Sequence, residues 1–430
     1  MSYTYQSAKR IKRLTNAISK KTGFSFQNLT SAVQELCAGY KNPARGSSVV
    51  PESVCESGGR LGALLSFINT VTGIHHADIT SGVQTLIDGY TAEPSVFLYS
   101  FGALADTHIQ YGGAESDGDP NGANDLERAL AYLDDKVEFV CICGDLVAWA
   151  SPEYMAQYRN KFANPTLTSK PVYECAGNHE TYPSNGISDV IDRSAWEETT
   201  GWANHAANGC EGNSLYYSFT KGNDIFIMLS LISSSPYAAF ADGALDWLEN
   251  VLETNRGKRC FVFQHVHDEN DGTADPSHSY SDMLSGTDGT KFTALMKHYE
   301  NAVWFHGHTH LSIATGLDEN GFQTNKYDYS PVSTENGYKS VHIPSLQGVR
   351  YYDPAKNALV NSYKYYGTDG NVYETQGGQH AEGCIVDVYD NKIVVRGIDF
   401  AVLKYTPDWQ AYFDVEPMPD KKFELNTRSK

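Results

Sequence analysis

The chain has no uninterrupted apolar stretch approaching the 18 or more residues of a membrane-spanning helix. Its opening, MSYTYQSAKRIKR, has no apolar core of the kind an export signal needs, so no Sec-type signal is expected. Cysteine is scarce and scattered: eight in 430 residues, none at zinc-ribbon spacing. Cys141, Cys143, Cys175 and Cys260 fall inside apolar runs and read as small core side chains in the reduced state rather than disulfide partners. Basic charge is sparse, with 33 Lys and Arg against 52 Asp and Glu. It is also unevenly placed. Residues 1–92 carry nine basic against five acidic side chains, net +4, and the remainder 24 against 47, net −23. So negative a body repels a nucleic acid duplex, and the short basic segment reads as helical rather than as a groove, which disfavours a nuclease. The 41% apolar content leaves enough side chains for a substantial core.

What the chain does have is a series of five short segments in one order: Asp106-Thr107-His108, Gly144-Asp145, Gly177-Asn178-His179-Glu180, His265, and Gly307-His308-Thr309-His310. Each follows an apolar run: Val96 to Leu104, Val137 to Cys143, Val172 to Ala176, Cys260 to Gln264 and Ala302 to Phe305. One Asp-x-His recurs by chance, and a lone histidine on an apolar face is usually a core residue. Five such segments, each just past a predicted buried strand, place oxygen and imidazole donors where α/β sheets present their sites. The donor set suits two borderline divalent ions such as Mn, Fe or Zn better than Ca or Mg.

On these motifs the chain resembles the metallophosphoesterases, also called calcineurin-like phosphoesterases, over roughly residues 95–402. Val341-His342-Ile343-Pro344-Ser345, Ala381-Glu382-Gly383 and Ile393 to Phe400 look like that family's closing strands. The resemblance implies a four-layer α/β/β/α sandwich. Carried over motif by motif, it implies a first metal held by Asp106, His108, Asp145 and His310, and a second held by Asp145, Asn178, His265 and His308. Asp145 would bridge through its two carboxylate oxygens. His267, two residues past His265, is the alternative ligand at that place. Two such ions can activate a water at neutral pH and clamp the attacking and leaving oxygens of a phosphorus centre. The resemblance implies that His179, directly after Asn178, is the general acid for the leaving group. Its plainer reading is a residue that only orients phosphate. Leu146-Val147-Ala148-Trp149 stands where protein Ser/Thr phosphatases carry Asp and Arg, and Ala148 stands where purple acid phosphatases carry a metal-binding Tyr. Neither subgroup is expected, and nothing polar near Ala148 indicates what orients His179.

The first ninety residues hold an internal repeat. Residues 10–40 align without a gap on 60–90, with twelve identities in 31 positions, among them Arg10/Arg60, Leu14/Leu64, Ile18/Ile68 and Gly39-Tyr40/Gly89-Tyr90. Each copy reads as an amphipathic helix, a Thr-Gly stop, and a second helix capped at Thr30 or Thr80 and ended by Gly39 or Gly89. Such units must pack on each other, on the catalytic domain or on another chain. The copies are similar to a helical module of tail-associated proteins of phages infecting Gram-positive hosts; a lid or dimerisation module without a viral link is the plainer reading. Between Tyr327 and Tyr373 nine tyrosines fall in a stretch read as an insertion spanning about 320–380. They suit a sugar-binding surface or the cover of a loop-rich segment equally.

The expected organisation is a repeat region at 1–92 for docking or oligomerisation, a catalytic domain at 93–405, and a C-terminal tail at 406–430. The expected function is a dinuclear phosphoesterase, a phosphodiesterase rather than a monoesterase, on a phage tail and acting on a cell-surface phosphate polymer such as teichoic acid. The competing readings are a cytoplasmic phosphodiesterase or phosphatase for a small metabolite, and a structural tail protein with a vestigial site. Partners would be phage tail proteins through residues 1–92, with a homo-oligomer as an option and no nucleic acid or membrane span.

Overall fold

A computed structural model describes short pieces between residues 12 and 36, and residues 61–72, 74–76 and 78–89. From 95 to 427 it describes all but 110–121, 163–167, 183–190, 234–237, 269–283, 314–315, 325–329, 335, 367–369, 375–379 and 406–410. The chain divides into two units, Met1–Val96 and Phe97–Lys430.

In the first unit, α1 (Leu61–Thr72) and α2 (Ile79–Gly89) form the second repeat copy. The inter-copy linker and most of the first copy, including Thr30, Gly39, Cys37 and Cys55, lie outside the described residues. Leu14, Ile18, Leu29, Val33 and Leu36 of that copy are described, and they share one buried cluster with Leu64, Phe67, Ile68, Val71, Val83 and Leu86. The two copies therefore pack on each other. The cap expected at Thr80 is instead Asp78, whose Oδ1 accepts from Thr80 N at 2.7 Å and Ser81 N at 3.2 Å. A carboxylate one residue ahead of the helix meets its orphan donors and its dipole, and Thr80 falls inside the first turn.

The second unit is built on two sheets. Its elements are β1 (Phe97–Leu104), α3 (Gly122–Leu133), β2 (Val140–Cys143), α4 (Pro152–Phe162), β3 (Val172–Cys175), α5 (Arg193–Thr200), α6 (Trp202–Ala207), β4 (Glu211–Asn213), β5 (Tyr216–Lys221), β6 (Asp224–Leu229), α7 (Ala244–Thr254), β7 (Cys260–Phe263), α8 (Gly286–His298), β8 (Ala302–His306), β9 (Val332–Ser333), β10 (Lys339–His342), β11 (Tyr351–Asp353), β12 (Ala358–Val360), β13 (Lys364–Tyr366), β14 (Val372–Glu374), β15 (Glu382–Tyr389), β16 (Lys392–Tyr405) and β17 (Ala411–Asn426). One sheet has the order β17-β16-β15-β1-β2-β3 and the other β9-β10-β8-β7-β6-β5-β4. The inner faces meet in a core that includes Phe101, Phe139, Phe226, Phe261, Phe263 and Phe305. One outer cluster joins α3 and α4 to the first sheet through Leu126, Leu130 and Tyr158 against Val140 and Ile142; another joins α7 and α8 to the second through Leu248, Phe292 and Trp304. This is the expected α/β/β/α layering. Cys141, Cys143, Cys175 and Cys260 are buried and free, as their place in the apolar runs implied.

Two expected boundaries shift. Residues 406–430 were expected as a tail, yet Ala411–Asn426 is the edge strand β17, paired antiparallel with β16. Its alternation was hidden by Pro417 and Pro419 and by a run of charges, which an edge strand tolerates. The insertion at about 320–380 also encloses a core strand, because β10 pairs parallel with β8 in the second sheet. The inserted material is thus in two pieces on either side of β10.

The parallel neighbours β1-β2-β3 and β6-β7-β8-β10 carry the expected site segments at their carboxyl ends. Of these, β1, β2, β3, β7 and β8 read as short continuous apolar runs, which is why the sequence located them.

Candidate metal centre

Asp106 and His108 leave β1, Asp145 leaves β2, Asn178 and His179 leave β3, His265 follows β7, and His308 and His310 follow β8. The sheets bring all of them to one pole. Asp106, His108 and His310 form one group whose donor atoms lie within 4.8 Å of one another; Asp145, His265 and His308 form a second, and His108, Asp145 and His179 a third. The backbone that achieves this is strained. Asp106, His108, Asp145, His308 and His310 have φ of 56°, 41°, 52°, 79° and 61°, five of the six non-glycine residues with positive φ among those described. Such conformations cost about 1–3 kcal/mol each and cluster where function fixes side chains.

Most of these side chains tie one polar atom to the protein and turn another inward. Asp106 Oδ2 accepts from His308 N at 3.1 Å, while its Oδ1, buried and without a hydrogen bond, lies 3.3 Å from His310 Nε2. Asp145 Oδ1 accepts from His179 N at 2.9 Å, and its Oδ2 lies 3.0 Å from His265 Nε2 and 3.8 Å from His108 Nε2. Oδ2 is therefore the Asp145 oxygen that faces both imidazoles. Asn178 Nδ2 donates to Tyr182 Oη at 3.1 Å, leaving Oδ1 buried without a hydrogen bond. His265 Nδ1 faces Cys143 O at 2.6 Å, and His310 Nδ1 faces Gly348 O at 3.0 Å. A proton on Nδ1, donated to a carbonyl, leaves the Nε2 lone pair for a ligand.

These residues fit a pair of cations. Orphaned carboxylate and carboxamide oxygens buried beside lone-pair nitrogens are costly unless something positive lies among them. His108 Nε2 and His310 Nε2 stand only 3.1 Å apart, an approach that a shared ion or proton explains. Burial, then His179, holds His108 well below the usual histidine range, and burial, then His265, does the same for His308. Neutral imidazole is the form a metal requires. Burial works to lower His265 too, but Asp145 and then Asp106 outweigh it and hold the group up to about 10. Burial alone would raise Asp145; His265 and His179 reverse this and keep it well below the carboxylate range. To hold a metal, His265 would have to give up that proton.

His179 lies at the same pole, and the structure shows what orients its ring. Nδ1 meets the backbone carbonyl of Ala148 at 2.6 Å, and Nε2 points inward, 3.9 Å from Asp145 Oδ2. A main-chain oxygen does the task, so no polar side chain near Ala148 is required. His267 lies outside the three ligand groups, its ring 5.8 Å from that of His308, whereas His265 is within one.

Sequence reasoning gave no role to Glu180 or Tyr182. Glu180 Oε2 accepts from Asp145 N at 3.0 Å and Gly177 N at 2.7 Å, and Oε1 accepts from Val147 N at 3.1 Å. One buried carboxyl thus binds the loops after β2 and β3 together; burial, then Asp145, pushes it up to about 7. The signal available was its place beside His179. Gly177 is required by space, since a Cβ there would collide with the Asp145 carboxylate; at Gly307 it would stand 2.6 Å from Asp106 Oδ2.

Fold and site together define a two-sheet α/β protein with a candidate dinuclear hydrolytic centre. Residues 99–312 match the model of the calcineurin-like phosphoesterases, and this stretch is a calcineurin-like metallophosphoesterase domain. No curated protein matches the chain. Among solved structures, a purple acid phosphatase from yellow lupin (Lupinus luteus) seeds is similar at 13% identity and a TM-score of 0.41, over 78% of this chain and 55% of that one. The chain therefore spans about half the length of that phosphatase. A conserved uncharacterised protein from Streptococcus pneumoniae TIGR4, named a predicted phosphoesterase, is 11% identical with a TM-score of 0.28, over 78% of this chain and 99% of that one. Vacuolar Protein Sorting 29 from Cryptosporidium parvum is 13% identical with a TM-score of 0.28, over 75% and 98%.

Proposed function

We propose that the chain hydrolyses phosphoesters with two divalent ions, one held by Asp106, His108, Asp145 and His310 and the other by Asp145, Asn178, His265 and His308. The observation that carries this is the single inward oxygen of Asp145, flanked by His108 on one side and His265 on the other. The ions, with Mn, Fe or Zn best suited to these donors, supply Lewis acidity at phosphorus and an activated water. The chain's own part is to fix geometry and move a proton. As a water oxygen bonds to phosphorus and the bond to the leaving oxygen breaks, His179 Nε2 gives its proton to that leaving oxygen, while the Ala148 carbonyl holds the ring in place. A diester is the preferred substrate. The test is hydrolysis of bis-para-nitrophenyl phosphate with and without added Mn, alongside metal analysis. A protein that binds two equivalents yet cleaves neither this diester nor a monoester would reduce the site to a vestige.

The finer reading places this enzyme on a phage tail, acting on a phosphate-bearing cell-surface polymer such as teichoic acid. It rests on the repeat in residues 10–90 and on the basic sign of residues 1–92 against the acidic remainder. Removing residues 1–91 should leave turnover of a small diester near the full-length rate and abolish association with a larger particle. Light scattering and steady-state kinetics on both chains decide. A folded, catalytically dead truncation would show that the repeats belong to the active site, and the docking reading would have to go.

A further inference from the structure

Trp149 stands beside His179, 48% exposed, on a backbone fixed from both sides. Ala148 N donates to Ile109 O at 3.1 Å, Ala150 N to Tyr182 O at 3.0 Å, and Ser151 N to Trp149 O at 2.7 Å. The indole belongs to none of the buried apolar clusters. Its ring centroid lies 6.0 Å from that of His179 and 6.1 Å from that of Tyr182, and Tyr182 lies 4.9 Å from His179. The carbonyl that holds His179 belongs to Ala148, so the group that orients the acid and the indole are borne by adjacent residues of one pinned segment.

We infer that Trp149 is a stacking wall for the leaving group, selecting phosphoesters whose ester oxygen is carried by a flat ring. The inference rests on His179 as the donor to the leaving oxygen. If the proton is delivered there, the group on that oxygen lies beside His179, and the exposed indole, 6.0 Å from the His179 ring, is a flat surface within its reach. An exposed indole on a fixed backbone loses little freedom on binding, and it suits the flat face of an aryl group or the CH face of a sugar. Tyr182 Oη accepts from Asn178 Nδ2 at 3.1 Å, so this aromatic wall is continuous with a proposed metal ligand.

The test separates stacking from turnover. In the Mn-loaded full-length protein, calorimetry should show phenylphosphonate binding tighter than methylphosphonate by roughly threefold to tenfold, the usual worth of one aromatic pair. The ratio should fall toward one in Trp149→Ala and recover in Trp149→Phe. The same comparison of glucose 1-phosphate with glycerol 3-phosphate tells the sources apart: a ring preference in both pairs assigns a general ring subsite, and one in the phosphonates alone assigns an aryl subsite. A wild type that binds ring and ring-free ligands alike, or a Trp149→Ala protein that keeps the ratio, overturns the inference. An intact ratio in a protein without phosphoesterase activity would remove the esterase reading and leave the subsite standing.

Discussion

The metal centre and the inserted pieces around it are built on opposite plans. At the centre, polar atoms are buried, backbone is strained, and most side chains have one atom tied and another aimed inward. In the insertions, the β13-β14 hairpin leaves Tyr365, Tyr366, Val372 and Tyr373 at 40% to 68% exposure, and Tyr365 stacks on Tyr373 while Tyr366 stacks on Phe322. The two regions meet at buried carboxylates. Glu382 Oε1 accepts from Ser312 Oγ at 2.6 Å and Oε2 from Ile313 N at 2.8 Å, where the chain leaves the His310 loop. Asp399 Oδ2 faces His380 Nδ1 at 2.6 Å, where the inserted chain returns, and His380 Nε2 faces Tyr363 Oη at 3.1 Å. Chemistry is thus confined to short loops pinned by sheets, and the added material is fastened at its ends.

The largest break in this contrast should come from Asp145→Ala. Its Oδ2 faces His108 on one side and His265 on the other and is the proposed shared ligand, so hydrolysis should vanish and both ions should be lost. Metal analysis of the purified variant decides, and two retained equivalents would end the ligand assignment. His179→Ala should be the next largest, keeping both ions while slowing the chemical step by roughly 10²- to 10⁴-fold, the range for a positioned general acid. The loss should shrink for good leaving groups. Equal losses on para-nitrophenyl and alkyl esters would mean that His179 does not protonate the leaving oxygen.

The same contrast explains what was legible in the sequence. Buried parallel strands are short apolar runs, and the site residues follow them within a few positions, so β1, β2, β3, β7 and β8 and the ligand segments could be read directly. Glu180 could not, because its partners are backbone N–H groups that carry no sequence signal. The Ala148 carbonyl that orients His179 is invisible for the same reason. Strand β17 was missed because an edge strand may carry prolines and charge, whereas β10 was legible in part, since Val341-His342 opens a stretch read as a closing strand. At α2, the aspartate ahead of the helix outcompeted the threonine inside it.

A smaller effect should come from Asp399→Asn, at the junction of the two regions. Burial pulls His380 down, but the hydrogen bond to Asp399 more than compensates, so its folded value lies above the ordinary one. Stability from this pair is therefore fully present below about pH 6.5 and is lost as pH rises through the raised value. Glu382, pushed up to about 7 by burial and then by Asp399, acts in the same direction, since the folded state favours its neutral form. The variant should lose about 1.5–3 kcal/mol at pH 6 and less at pH 8. Denaturant midpoints across that range check the sign: a loss that grows with pH would mean that His380 is neutral in the folded protein.

The smallest effect should come from Tyr366→Ala, and it bears on what the tyrosines are for. Tyr366 is 68% exposed, and its one aromatic partner among those described is Phe322, at 4.8 Å between ring centroids. An exposed pair of this kind contributes less than about 1 kcal/mol. By contrast Tyr351 and Tyr363 are buried and share a small cluster with Leu317 and Val349, so they form a core for the inserted sheets. If the outer rings only cover that core, Tyr366→Ala should barely move the melting temperature and should leave unchanged both small-ester turnover and any binding to the proposed wall polymer. Co-sedimentation with purified teichoic acid, run beside the kinetics, is the measurement that sharpens the contrast. A variant with normal small-ester turnover that no longer co-sediments would move the insertion from support to substrate recognition, and the division between the two regions would have to be redrawn.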